Sequence, residues 1–143
     1  MDTNKIQRFI EKLSLETIQS KINWEHAYEF ETIDYNSNPN VASIFFRTEY
    51  HQAILDDSYF APLYPNKTIF IVLESSESGR DGTYMRGYNI YIQSDDNNIS
   101  RIPCSQGPIY QLVNSIKAYL AKKEKPLENF IDSYLSSSDT PNQ

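Results

Sequence analysis

Four residue types are scarce in this chain of 143 residues: one cysteine, one tryptophan, two histidines and four glycines. The lone Cys104 has no partner for an intramolecular disulfide, which favours a reducing compartment. As a nucleophile it would need a base and an orienting group, and only Gln106 and two distant histidines are to hand. His26 lies near Glu25 and Glu29, and His51 precedes Asp56 and Asp57. Neither has a second histidine at helical spacing or a cysteine cluster beside it, so no metal site and no cofactor are expected. The few glycines build no phosphate cradle. Ser78-Gly79-Arg80-Asp81-Gly82 lacks the Walker lysine and the strand-to-helix setting, and no Gly-x-Ser-x-Gly elbow occurs. No stretch approaches the ~20 apolar residues of a membrane span. Met1 to Lys12 is polar with spaced apolar positions, unlike a signal peptide. A soluble, cytoplasmic protein is the expectation, with no membrane partner.

Positive charge is also in short supply. The net charge of −6 and a pI near 4.8 argue against direct nucleic-acid binding through a basic surface. An acidic imitation of nucleic acid would need dense rows of carboxylates, and 22% charged residues is ordinary for a globular domain. The length fits one domain, placed at residues 1–135, with a polar, disordered tail over 136–143.

What the chain does have is β-pattern and rings. Thr68 to Gln93 reads as an antiparallel hairpin. In its first strand Ile69, Ile71 and Leu73 alternate with Phe70 and Val72, so both faces are apolar and the strand should be covered on two sides. In its second, Tyr84, Arg86, Tyr88, Ile90 and Ile92 alternate with a more mixed face. Ser75 to Gly82 supplies turn chemistry, and Gly87 points to a bulge or a close approach. Around this hairpin a helix is expected from residue 3 to 20, capped by Thr3 and with a break near Ser14. Ile6, Phe9, Ile10 and Leu13 line its apolar face, and Leu15, Ile18 and Ile22 continue the spacing. Trp24 should pack the helix end onto the sheet. Tyr28, Phe30, Ile33 and Tyr35 hint at a strand, and Val41 to Tyr50 is a second one. Ala53 to Leu55 reads as a helical turn stopped by Asp56-Asp57-Ser58. Tyr59 to Pro65 is broken by proline and suits an edge strand or a loop across the sheet, not a central strand. Ile99 to Cys104 is a short strand. Ser105 is placed to cap a helix carrying Ile109, Leu112, Val113, Ile116 and Leu120. Lys117, Lys122, Lys123 and Lys125 gather where its C-terminal end would be. Pro126 then opens another helix with Leu127, Phe130, Ile131, Tyr134 and Leu135 on one face. The fold class is therefore α+β: an antiparallel sheet of about four to five strands with an N-terminal helix and two C-terminal helices packed on it.

With eleven tyrosines and seven phenylalanines, either many rings are buried or several remain at a surface used for contact. Tyr59, Phe60, Tyr64, Tyr84, Arg86 and Tyr88 would form one aromatic–arginine contact patch if the proline-broken segment crosses the hairpin. The plainer alternative is that most of these rings are core and cross-strand pairs. Lys21-Ile22-Asn23-Trp24 after the first helix, Tyr91-Ile92-Gln93 closing a strand, and Ser105 to Ile116 resemble small uncharacterised bacterial α+β proteins found among mobile-element or phage-related genes. That resemblance implies no activity and no catalytic residue. The leading functional reading is a non-enzymatic protein–protein interaction or regulatory module in a bacterial accessory system, binding a protein partner or itself as a homodimer. One alternative is a small-molecule or nucleotide-binding domain or small enzyme with a pocket between sheet and helices. Another is an acidic inhibitor of a nucleic-acid-binding protein.

Overall fold

The computed structural model describes residues 2–28, 51–77, 84–94 and 98–138. Among them the elements are α1 (Thr3–Ile18), β1 (Glu25–His26), β2 (His51–Leu63), β3 (Lys67–Glu77), β4 (Tyr84–Gln93), β5 (Ile99–Ile102) and α2 (Gln106–Ser138). The five strands form one antiparallel sheet in the order β1-β2-β3-β4-β5, so every described neighbour in the sheet is also a neighbour in sequence order. The α+β class and the antiparallel sheet with an N-terminal helix are as expected. The expected strand at Val41–Tyr50 and the tip of the turn after Glu77 lie outside the described residues.

Asp2, not Thr3, caps α1: its carboxylate accepts the Asn4 N–H at 2.9 Å. The helix runs unbroken through Ser14, and its buried stripe is Ile6, Ile10, Leu13 and Thr17. Leu15 and Ile18 face solvent instead. The stripe ends on a threonine because Thr17 meets the indole of Trp24, whose Nε1–H donates to Thr17 Oγ1 at 2.9 Å. The same hydroxyl donates to Leu13 O at 2.7 Å. The helix closes in a Schellman turn: Ser20 takes φ 59°, its N–H bonds Thr17 O, and the Lys21 N–H bonds Glu16 O.

β3 is the strand buried on both faces. Ile69, Ile71 and Leu73 enter the core shared with α1 and α2, where they meet Trp24, Tyr59, Tyr88, Ile109, Leu112 and Ile116. Phe70 and Val72 lie on the other face with Ala27, Phe60 and Tyr91. That second face also holds a buried carboxylate. Glu74 accepts hydrogen bonds from Asn89 Nδ2 and Tyr91 OH, both at 2.6 Å, and Arg101 Nη1 donates to Asn89 Oδ1 at 3.3 Å. The mixed face of β4 is thus partly interior, because its asparagine and tyrosine satisfy an acid that could not otherwise be buried.

β2 departs most from expectation. Residues 51–58 are strand, not a helical turn, and the Ile54↔Leu73 and Tyr59↔Ile71 pairs leave Leu55 to Ser58 opposite Val72 alone. This wide bulge loses ladder bonds, and the buried Ser58 hydroxyl replaces them: it accepts the Leu73 N–H at 2.9 Å and donates to Ile54 O at 2.7 Å. Beyond it Tyr59 to Leu63 is paired strand, including Pro62 opposite Thr68. Among the described residues β1 pairs only as far as Phe60, which leaves β2 an edge at Pro62, where proline is admitted.

Gln106, the first residue of α2, prolongs the sheet beyond β5. Its carboxamide accepts the Tyr88 N–H at 2.8 Å and donates to Tyr88 O at 2.9 Å, as a further strand residue would. Gly87 makes the room, since a Cβ there would stand 3.2 Å from Gln106 Oε1. The close approach anticipated at Gly87 is therefore to a side chain, and the β3–β4 register is continuous through it.

The two helices expected after residue 105 are one. α2 runs from Gln106 to Ser138 with Pro126 inside it, so Ser136 to Ser138 are helical and 139–143 lie outside the described residues. Proline removes the bond to the carbonyl four residues back, that of Lys122. Residues 121–137 are all exposed, so water can take up that carbonyl and the chain need not break. The lysines consequently sit mid-helix and not at its last turn.

Candidate interaction surface

The six aromatic and arginine candidates do not converge on one patch. Tyr59 and Tyr88 are buried under the helices, and Phe60 is buried on the opposite face of the sheet. Tyr64, 97% exposed, sits in the turn between β2 and β3 beside a cis Tyr64–Pro65 bond. Arg86 is exposed at the far end of the sheet, where β4 pairs with Ser75. The Tyr84 backbone continues β4 opposite Glu77.

Tyr59 and Tyr88 nevertheless form a local cluster with the β2 bulge. Tyr88 OH donates to Asp57 O at 3.0 Å, and its ring meets Tyr110 edge-on at 5.3 Å. Burial, reinforced by the Asp57 carboxylate, pushes the Tyr59 phenol up to about 12. Burial raises Tyr88 as well, with Tyr59, Asp57 and Tyr110 adding to it. Both phenols are held neutral, and Tyr88 serves as a hydrogen-bond donor. Cys104 is also held as the thiol, because burial raises its pKa against the opposing pull of Arg101, and its Sγ lies 3.5 Å from Ile102 O. Among the described residues no group of three or more histidine, cysteine, aspartate or glutamate side chains could hold a metal, and no helix is long and apolar enough to cross a membrane.

His26 has a structural partner. Its Nε2 lies 2.9 Å from Glu124 Oε1, so the proton belongs on that nitrogen, and the buried Nδ1 has no hydrogen-bond partner among the described residues. The ring stacks on Tyr28 at 4.8 Å. One turn away Asn23 Oδ1 accepts from Tyr119 OH at 3.0 Å and Lys123 Nζ at 3.2 Å. The segment from Asn23 to His26 thus ties α1 and β1 to α2, and Glu124 is where the tie ends.

Past Glu124 the helix keeps an apolar face. Leu127, Phe130, Ile131, Tyr134 and Leu135 are 47–65% exposed. Four of them repeat, 18 residues on, the buried set Ile109, Leu112, Val113 and Ile116, and 18 residues are five full turns. One stripe therefore runs the length of α2: its first half is core, and its second half faces outward. Phe130 and Tyr134 stack on each other at 6.3 Å along it. Sequence reasoning finds these five residues as a helical face but assigns them to packing on the sheet, because Pro126 is read as the start of a new helix free to fold back. The common phase across Pro126 was the available signal for a single helix. No protein-family model, curated protein or solved structure matches the chain.

Proposed function

We infer that this chain is a non-enzymatic protein-interaction module whose contact surface is the distal half of α2. The observation that carries this reading is the exposed stripe from Leu127 to Leu135, in phase with the buried stripe of the same helix. From the exposures these five residues present roughly 600 Å², the upper end of the largest apolar patch that a monomer ordinarily exposes, and patches of that size are often functional. The protonated Cys104 thiol and the neutral Tyr59 and Tyr88 phenols favour a binding role over a catalytic one. A bacterial accessory or regulatory role in the cytoplasm belongs to the same inference. It draws on the free Cys104 and on the sequence's resemblance to small mobile-element-associated proteins.

The test is chemical cross-linking of the protein inside its own cell, followed by sizing of the adducts. Protein adducts of any mass that form with the wild type and vanish with Phe130→Ala/Tyr134→Ala support the reading. A chain that stays at its own mass, or adducts unaffected by the substitutions, overturns it.

A further inference from the structure

Resting on the reading of distal α2 as a contact surface, we propose that its occupant is a second copy of this chain, bound antiparallel about a twofold axis through Ile131. Three features of the helix lead there.

The first is length. The helix is tied to the body as far as Glu124, through His26. From Lys125 to Ser138 it projects for 14 residues, about 21 Å, with its midpoint at Ile131–Asp132. In an antiparallel pair centred on Ile131 the described helix of one copy lies along Lys125–Ser138 of the other, and Ser138 stands level with Glu124, where the body begins. A parallel copy would bring the two bodies to the same end of the helix pair. A copy shifted toward the body would run its tip into β1 and Trp24's neighbourhood.

The second feature is the symmetry of the stripe. Leu127, Ile131 and Leu135 lie four residues apart, so a twofold at Ile131 sets Leu127 against Leu135 of the second copy and Ile131 against itself. Phe130 and Tyr134 fall on one flank of that row, already stacked within the chain. In an antiparallel pair the same flanks meet, so four rings gather on one side of the seam. Glu128 and Asp132 lie on the other side, turned about a quarter to a third of a turn from the stripe, where water still reaches them. A twofold contact needs such a self-complementary patch, and an unrelated groove does not.

The third is area. Covering the stripe completely would remove roughly 600 Å² from each copy, about 1,200 Å² together, the lower end of stable, specific interfaces. The buried set is Leu, Ile, Phe and Tyr with no charged side chain at its centre, the composition of an interface core.

Sedimentation equilibrium of the intact chain from about 1 to 500 μM is the first measurement. A monomer–dimer equilibrium is expected, weakened at least ~100-fold by Ile131→Asp, which places two carboxylates on the axis. The monomer's melting temperature should be unchanged, because residue 131 touches no part of the core. A wild type that stays monomeric over that range overturns the proposal. So does an Ile131→Asp variant that dimerises as tightly as the wild type. Orientation is read in a Cys104→Ser background with oxidised glutathione as the oxidant. Leu127→Cys mixed with Leu135→Cys should cross-link faster than either alone. Faster self-coupling of Leu127→Cys indicates a parallel pair and overturns the arrangement. The two readings fail separately: a strict monomer that still forms heterologous, stripe-dependent adducts in the cell removes the second copy and leaves the contact surface. Absence of any adduct removes both.

Discussion

Replacing Thr17 by valine tests whether the end of α1 is held by one buried hydrogen bond. The side chain is fully interior, and so is Trp24, whose indole N–H has its partner in Thr17 Oγ1 at 2.9 Å. Valine keeps the shape and removes the acceptor. The bond the hydroxyl gives to Leu13 O matters less, because that carbonyl also accepts in the helix ladder. The cost should therefore be that of a buried donor left unpaired, about 1–3 kcal/mol. Thr17→Ser keeps the oxygen and loses only a methyl, and should cost about 1 kcal/mol or less. Trp24→Phe removes the donor but leaves a smaller ring in the same space, at a cost of its own of roughly 1–3 kcal/mol. The informative quantity is the cycle. With both substitutions no donor is stranded, so Thr17→Val/Trp24→Phe should be less destabilised than the sum of the singles by about 1–2 kcal/mol. Urea unfolding followed by far-ultraviolet circular dichroism measures all four proteins. Trp24 is the only tryptophan, so its fluorescence gives a second probe in the proteins that retain it. Additive singles, or valine no worse than serine, would refute the argument that Thr17 is buried for the sake of the indole.

Three further outcomes are expected. Ser20→Gly should stabilise the chain by about 1 kcal/mol in the same urea assay, since Ser20 holds φ 59° in the Schellman turn and glycine takes that conformation without a Cβ penalty. Gln106→Ala strands both backbone groups of Tyr88, and Gly87→Ala pushes a methyl to 3.2 Å from a carboxamide pinned by two bonds. Each should cost about 1–3 kcal/mol, and the pair should be strongly non-additive because both act on the same contact. Tyr59 ionises near 10 when unfolded and at about 12 when folded, so above pH 10 the folded chain holds a proton that the unfolded chain has released. The contribution of Tyr59 to stability should be level below pH 10 and should fall between pH 10 and 12, by up to about 1.4 kcal/mol per pH unit. Phenolate absorbance followed alongside unfolding checks it, and a Tyr59 that ionises near pH 10 in the native protein would contradict its burial beside Asp57.

Patterns carried by consecutive residues were legible without the structure. The alternation of Ile69 to Leu73 already required a strand covered on both sides, since no half-wet sheet hides Phe70 and Ile71 together. The 3.6-residue spacing from Ile109 to Leu120 likewise required a buried helical face. What only the tertiary structure decided are contacts between groups far apart in sequence. Asp56-Asp57-Ser58 looks like a stop, yet it is strand because Leu73 and Tyr88 supply the partners that a bulge needs. Tyr59 and Tyr88 look suited to a surface patch, yet they are interior, because the Asp57 carbonyl accepts from one and the Trp24-centred core surrounds both. The same holds for α2. Its composition announces an amphipathic helix on each side of Pro126, but whether the second half folds back depends on what space remains over the sheet. α1 and the first half of α2 already fill the helical side of the described sheet, and His26 and Asn23 hold the helix where it leaves that layer. Local pattern sets which face of a segment is apolar. The rest of the molecule sets what is left to cover it.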